Sequence, residues 1–145
     1  MGSKSAEFIA GMSLPELKRT VTQEHINLYA QASGDFNPIH IDQEFARKTP
    51  LAGTVAHGML ILAYISEFMT NNFGNSWLVG GTLSCRFKNP ARPGDIITVT
   101  GMVSTILKES EGTLIQCDVL CQNQRREPVI ICNTKVRLKD AENSH

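Results

Sequence analysis

The residues best suited to chemistry lie in the segment Ser33–Asp42, where a carboxylate and an imidazole stand five positions apart. Asp35 and His40 are joined by a turn through Asn37 and Pro38. Pro38 fixes its own φ angle and pushes Asn37 toward an extended conformation, so the turn has few shapes available. An Asp and a His held at this separation can share a water molecule and move protons through it, since imidazole exchanges protons near neutral pH. Asp35 and His40 are therefore candidate catalytic residues.

The same residues also fit a purely structural turn. Asp35 would then form an Asx turn, Asn37 would bind loop backbone and His40 would be a structural histidine, because Asp, Asn and Pro are ordinary loop residues. The residue types alone leave both interpretations open. In the catalytic interpretation, Asn37 is a further candidate for contact with the substrate.

A second feature, Gly53–Met59, stands at the predicted start of the longest helix. Backbone N–H groups in a first helical turn lack intrahelical acceptors, and the helix dipole favours negative charge there. Because glycine lets a ligand approach closely, the N–H of Gly58 could be the donor of an oxyanion hole. Alternatively, Gly58 only permits close packing of the helix on the sheet, with His57 as a capping or exposed residue.

Ser66 interrupts the apolar face of the same predicted helix, two turns beyond Gly58. It could face the same cavity and hydrogen-bond the catalytic pair. As a structural residue, it would instead bond back to the carbonyl of Leu62.

Three cations, Arg86, Lys88 and Arg92, surround Phe87 and the turn that follows it. They are candidate contacts for the phosphates of a nucleotide-bearing substrate. The alternative is that they are simply solvated surface charges.

The helical elements that must position these residues occupy the first half of the chain. Thr22 is a predicted N-cap of an amphipathic helix over residues 23–32, and Asp42 is predicted to cap a second, short helix. The longest helix is predicted from Val55 to about Asn71, with the segment Asn71–Gly74 as its stop signal. Its central stretch is apolar on all sides, which indicates burial on most sides.

Alternation with period two takes over in the second half, from Trp77 onward. It predicts four consecutive strands, antiparallel because their connections are short, and Glu16–Val21 could be a further short strand. The apolar face of this sheet needs a cover, and the long helix is the one candidate of sufficient length. We therefore predict an α+β fold, a curved antiparallel β-sheet wrapped around a long central α-helix. The predicted organisation is a flexible N-terminus over residues 1–9, one domain over 10–139 and a C-terminal tail over 140–145.

Composition narrows the classes of function. The chain has 145 residues, with 14 Lys and Arg against 14 Asp and Glu, so a basic nucleic-acid-binding protein is disfavoured. The longest apolar run has about seven residues, too short for a membrane span, and the N-terminus lacks a secretory signal pattern, so we expect a cytoplasmic protein. No Cys-x-x-Cys pair or zinc-finger spacing is present, so a structural zinc site is not expected. The four cysteines are expected to be small reduced core residues: Cys85, Cys117, Cys121 and Cys132.

Taken together, these motifs resemble the MaoC-like, (R)-specific enoyl-CoA hydratases, a family of hotdog-fold proteins. The resemblance rests on Asp-Phe-Asn-Pro-Ile-His at 35–40, which matches the family's Asp-x-Asn-Pro-x-His motif, and on Ala-His-Gly-Met at 56–59. The segment Phe87–Asp95 matches as well, and the similarity covers roughly residues 10–139. One mild departure is Thr54-Val55 before Ala-His-Gly, where an Ile is common.

The resemblance implies roles for individual residues and a reaction. Asp35 and His40 match the acid–base pair that activates water, Gly58 matches the donor to the thioester carbonyl, and Ser66 falls where the family often has a serine near the pair. The implied activity is reversible syn hydration of a trans-2-enoyl-CoA to an (R)-3-hydroxyacyl-CoA, with acyl-CoA as substrate and no metal or redox cofactor. The family also implies a homodimer with active sites at the subunit interface. The alternatives are a thioesterase, a 3-hydroxyacyl-acyl-carrier-protein dehydratase, and a non-enzymatic acyl-CoA-binding domain.

Overall fold

The computed structural model describes residues 8–139, so the predicted tail 140–145 and most of the predicted flexible N-terminus 1–9 lie outside the described residues. The described part contains helices in its first half and strands mostly in its second. In chain order the elements are β1 (Ser13–Thr20), α1 (Gln23–Ser33), α2 (Pro38–Ile41), α3 (Gln43–Arg47), α4 (Gly58–Phe73), α5 (Asn75–Gly80), β2 (Thr82–Phe87), β3 (Ile96–Glu109), β4 (Gly112–Gln122) and β5 (Pro128–Leu138). None of the helices in this range is both long and apolar enough to cross a lipid bilayer.

The five strands form one antiparallel sheet in the order β1-β3-β4-β5-β2. The α+β fold with an antiparallel sheet packed on a long helix is therefore confirmed, although β2 and β3, which follow each other in the chain, are not neighbours in the sheet. β2 pairs with β5 instead, and β1 pairs with β3. The connection between β2 and β3 cannot form a hairpin because it passes the start of α4, where the Ala91 carbonyl accepts the N–H of Ala56 at 2.7 Å.

Helix α4 covers the apolar face of the sheet, but only one face of the helix is buried in this contact. Its buried side chains recur at helical spacing, and the set consists of Ile61, Tyr64, Ile65, Phe68, Met69 and Phe73. Met59, in contrast, is 56% exposed, so the prediction of an apolar helix buried on most sides is too broad. The helix thus has a core face and an apolar face open to its surroundings at its N-terminal end.

The start of α4 lies three residues later than predicted. Residues 55–57 are extended because their backbone groups are bonded elsewhere: Val55 donates its N–H to the Ile39 carbonyl at 3.1 Å, and Ala56 donates to Ala91. These bonds leave Gly58 as the first helical residue. The predicted stop is confirmed, since Gly74 is the C-cap.

The predicted strand start at Trp77 is wrong. Trp77 and Val79 belong to α5, a short helix that follows Gly74 directly, and the strand begins only at Thr82. The alternation of Trp77 and Val79 spans too few residues to separate a strand from one helical turn, and the two side chains have opposite exposures: Trp77 is buried and Val79 is 75% exposed.

The predicted caps and the predicted core cysteines agree with the structure. Thr22 accepts the N–H of His25 at 3.0 Å, and Asp42 accepts the N–H of Phe45 at 3.1 Å. Of the four cysteines, all free, Cys85 is half-buried and the other three are buried. Burial raises the pKa of the Cys121 thiol to about 12, so the nucleophilic thiolate is a minor form at neutral pH.

The close packing of α4 on the sheet predicts a stability effect at Gly101 on β3. A Cβ at this position would lie 2.8 Å from the ring of the fully buried Phe68 on α4, so Gly101→Ala overpacks the core. We expect the free energy of unfolding to fall by about 1–3 kcal/mol, measured by urea denaturation. Gly80→Ala is the matched control, because a Cβ there meets no atom within 4 Å. A Gly101→Ala midpoint equal to that of the wild type would contradict this packing.

Candidate active site

Asp35 lies at the surface, in the loop between α1 and α2. Helix α1 ends at Gly34, whose left-handed φ of 80° turns the chain toward the loop. The Oδ1 atom of Asp35 accepts the N–H of Asn37 at 3.2 Å, and Asn37 in turn caps α2 by accepting the N–H of Ile39 at 3.2 Å. The structure thus shows the Asx bond and the cap expected of a structural turn. Oδ2 of Asp35 has no bonded partner within residues 8–139, so it is free for another contact.

His40 lies on α2 and is buried, with 8% of its surface exposed. Its Nδ1 lies 2.8 Å from the carbonyl oxygen of Val55. Because a carbonyl can only accept, the proton of the neutral ring is on Nδ1 and the lone pair is on Nε2. This contact orients the ring and leaves Nε2 as the nitrogen able to take a proton.

A third side chain, His57, joins this pair. A carboxylate oxygen of Asp35 and one ring nitrogen from each of His40 and His57 all lie within 4.8 Å of one another. The two imidazoles stack, with ring centroids 3.9 Å apart and an interplanar angle of 23°. The structure therefore brings together the carboxylate and the imidazole that the sequence pattern singled out.

Gln23, the first residue of α1, forms hydrogen bonds both to α2 and to the segment before α4. Its Nε2 donates to the carbonyl of His40 at 2.8 Å, and its Oε1 accepts the hydroxyl of Thr54 at 2.8 Å. Thr54 is buried and also donates its N–H to Oε1 of Gln43 at 2.8 Å. These bonds fix the backbone on either side of the His40–Val55 contact.

Three potential ligand atoms so close together could in principle hold a metal ion. A shared ion requires the lone pairs of its ligands to converge on one point. The rings of His40 and His57 lie nearly parallel, and one nitrogen of each ring is already bonded to a backbone carbonyl oxygen. Each ring therefore keeps one nitrogen for a further contact.

Gly58 follows His57 directly and is exposed at the N-terminus of α4. It lines a cavity of about 270 Å³ together with Phe87, Lys88 and other residues of the β2–β3 connection. A Cβ on Gly58 would lie 2.8 Å from the Phe87 ring. The glycine is therefore required for close packing, as one interpretation held, and it is also the first helical residue of α4 beside the cavity.

Ser66 lies two turns further along α4, and its contact is with a different partner. Its hydroxyl oxygen accepts the indole N–H of Trp77 at 3.1 Å. Neither of the two expected contacts, with the Asp35–His40 pair or with the Leu62 carbonyl, is present in this structure. The serine connects α4 to α5.

The three candidate cations do not form one cluster. Lys88 lines the cavity beside Gly58. Arg86 alternates with Phe87 on β2, so the two side chains lie on opposite faces of the sheet. Arg92 lies against Gly53, whose added Cβ would be 3.6 Å from Nη1 of the arginine.

Four contributors to the site were not singled out by sequence reasoning: Gln23, Thr54, the Val55 carbonyl and the His57 ring. Gln23 and Thr54 act through hydrogen bonds between segments that are distant in the chain, which no local pattern encodes. The expectation that His57 is a capping or exposed residue is wrong, because its ring is buried and makes no capping hydrogen bond. The available signal was that histidine is a poor cap for a helix start.

The chain matches the family model described as "MaoC like domain" over residues 7–117. A similar curated protein is an (R)-specific enoyl-CoA hydratase of Rhodospirillum rubrum, 32% identical over 95 residues, which is 66% of this chain and 66% of the relative. A second is the mitochondrial 3-hydroxyacyl-[acyl-carrier-protein] dehydratase of Arabidopsis thaliana, 30% identical over 78% of this chain and 67% of the relative. These alignments span about two thirds of each relative's length.

Among solved structures, the unliganded R-hydratase PhaJ1 from Pseudomonas aeruginosa is similar, with a TM-score of 0.79 and 25% identity over 93% of this chain and 84% of that one. This similarity in fold extends across both the helical half and the sheet, which confirms the predicted hotdog fold. On the family match and these relatives together, the chain belongs to the MaoC-like hydratase and dehydratase family of hotdog-fold proteins.

Proposed function

We propose that this protein is an (R)-specific enoyl-CoA hydratase, which adds water reversibly to a trans-2-enoyl-CoA and forms an (R)-3-hydroxyacyl-CoA. The observation that carries the proposal is the grouping of a carboxylate oxygen of Asp35 and a ring nitrogen of His40 within 4.8 Å, next to the N-terminus of α4. The (R) configuration follows the hydratase relatives of the family.

In the proposed mechanism, a water molecule lies between the Asp35 carboxylate and Nε2 of His40. One of the two groups removes a proton as the water oxygen bonds to C3 of the enoyl thioester, and a proton is delivered to C2 on the same face. The C2–C3 double bond is lost, and a C3–O bond and a C2–H bond form. The Nδ1–Val55 bond supports this role because it leaves the His40 lone pair on Nε2.

Addition at C3 places enolate charge on the thioester oxygen before C2 is protonated. We assign the N–H of Gly58 as the donor that stabilises this charge, because the first-turn N–H of α4 has no intrahelical acceptor and the helix dipole is favourable there. Lys88 lines the same cavity and is the proposed phosphate contact, with Arg86 and Arg92 as weaker candidates. Asn37 contributes by shaping the Asp35 loop, and Ser66 by connecting α4 to α5.

A dehydratase that acts on acyl-carrier-protein thioesters is the second candidate, since it needs the same acid–base pair and the Arabidopsis relative is named for that substrate. A thioesterase is less well supported, because hydrolysis of the thioester does not need the paired motif of Asp35 and His40. No redox chemistry is involved in either proposed reaction.

The dyad predicts large losses of activity in single variants. Asp35→Asn and His40→Gln are each expected to lower the rate of crotonyl-CoA hydration by about 10²–10⁴-fold, because each removes a positioned acid–base group. If both groups act on one water, the double variant should be little slower than either single variant. Hydration is followed at the enoyl absorbance, with free CoA release and product chirality scored in parallel.

Asp42→Asn is the matched control for Asp35→Asn, because Asp42 also accepts a backbone N–H through Oδ1 but lies outside the proposed dyad. Near-wild-type turnover in folded Asp35→Asn and His40→Gln proteins would contradict the acid–base assignment. CoA release without hydration would support a thioesterase, activity confined to acyl-carrier-protein substrates would support the second candidate, and binding without turnover would support an acyl-CoA-binding domain.

Substitutions can separate the two proposed roles of Gly58, which are donation by its N–H and close packing against Phe87. Gly58→Ala is expected to lower kcat by about 10²–10³-fold, because the added methyl group holds the thioester oxygen away from the N–H. Phe87→Ala removes the ring that this methyl group would meet, 2.8 Å from the Cβ position. If the N–H donor matters, Gly58→Ala lowers kcat by the same factor in the Phe87→Ala background as it does in the wild type. Recovery of the double variant to the rate of Phe87→Ala would show that Gly58 serves packing alone.

A homodimer is also proposed, because β2 is an edge strand with unpaired backbone groups, and because one exposed apolar side chain lies on β2 and another follows Gly58 in α4. Phe87 is 53% exposed and Met59 56% exposed, and a partner on this side would bury both. We expect light scattering to give twice the chain mass of 16.0 kDa at micromolar concentration. A mass equal to one chain would contradict the proposal.

A further inference from the structure

His57 is almost completely buried, with 2% of its surface exposed, and it contacts both members of the proposed dyad. Its Nε2 lies 3.0 Å from the backbone carbonyl oxygen of Asp35, so Nε2–H is the donor. Its ring stacks on the ring of His40 at 3.9 Å and meets the ring of Tyr29 at 4.8 Å. One side chain thus holds the backbone at the carboxylate and the plane of the imidazole.

These contacts are not explained by the needs of helix α4. His57 is the N-cap residue of that helix, yet its side chain makes no capping hydrogen bond. A Ser, Thr, Asp or Asn at this position would cap the helix better. In addition, Nδ1 of His57 is buried and has no hydrogen-bond partner in the described part of the chain, an arrangement that ordinarily destabilises a fold.

We propose that His57 is a positioning residue for the reaction: it holds the Asp35 loop and the His40 ring in register with the N–H of Gly58. This inference rests on the proposed hydratase function and adds a residue to it. His57 precedes Gly58 in the chain, so the hydrogen bond and the ring stack connect three proposed reacting groups through one residue. The Asp35 side chain is exposed and its loop has no regular structure, so the bond to the Asp35 carbonyl is its connection to the rigid start of α4.

Three substitutions separate the ring from the hydrogen bond. His57→Phe keeps a ring that can stack on His40 and loses the donor, whereas His57→Gln keeps an N–H donor near the position of Nε2 and loses the ring. His57→Asn loses the ring, and its shorter amide does not reach the Asp35 carbonyl. Each variant is compared with the wild type for kcat and KM of crotonyl-CoA hydration and for melting temperature.

We expect kcat of His57→Phe to fall by about 10²-fold with KM little changed, because a misplacement of about 1 Å at the reacting groups has an effect of this size. His57→Gln should recover part of that loss, and His57→Asn should be the slowest. His25→Gln is the matched control, since His25 is exposed on α1 and should leave both constants unchanged. Wild-type kcat in folded His57→Phe and His57→Asn, or a loss confined to KM, would overturn the proposal.

A crystal structure of His57→Phe tests the positioning role without reference to activity, so a failure of the hydratase proposal is distinguished from a failure of this one. If the wild type hydrates no enoyl thioester, the proposed function fails, but the structural comparison still decides the role of His57. We expect the Asp35 backbone to move by about 1 Å or more, or to lose its order, relative to the wild type. An unmoved Asp35 loop and His40 ring in the variant would overturn the proposal.

Discussion

The site depends on one buried segment without regular structure, Gly53–His57, whose backbone bonds connect three parts of the chain. Val55 donates its N–H to Ile39 and accepts Nδ1–H of His40, so both of its polar groups are directed at α2. Ala56 donates to the β2–β3 connection. Because buried backbone groups must be paired, these bonds exclude the segment from the helix and place the first free N–H groups of α4 at Gly58. The orientation of the imidazole and the position of the helix start therefore have the same physical cause.

The two members of the proposed dyad differ in solvent exposure, and this difference suits a reaction with water. His40 is buried and bonded on its Nδ1 side, whereas Asp35 and Gly58 lie at the surface of the single chain. A proton-accepting ring with a fixed orientation next to an accessible carboxylate can meet water from outside without having to rearrange. In a dimer, a partner beside β2 would limit that access and lower the local dielectric, which would strengthen the interaction of Gly58 with developing charge.

The sequence was sufficient where the signal is local. The caps at Thr22 and Asp42, the stop at Gly74 and the strands with long alternation are all confirmed, because each depends on residues within a few positions. The features that were predicted wrongly or not at all depend on contacts between distant segments. The delayed start of α4 follows from bonds to Ile39 and Ala91, and the pairing of β2 with β5 follows from the path of the chain past α4. In the site, the grouping of Asp35 and His40 was predictable from one motif, whereas the Gln23 bonds and the His57 stack required the fold.

The two interpretations of Gly58 left open by the sequence are compatible. Phe87 occupies the space that a side chain at position 58 would need, so the packing of β2 against α4 by itself demands glycine there. In the proposed mechanism, the same absence of a side chain lets the thioester oxygen approach the first-turn N–H of α4. A glycine needed for close packing would then also serve as the proposed donor, because a helix N-terminus favours negative charge whatever the reason for its exposure. Stability and proposed chemistry are consequently coupled at this position, and a change in either property alone does not identify the role of the residue.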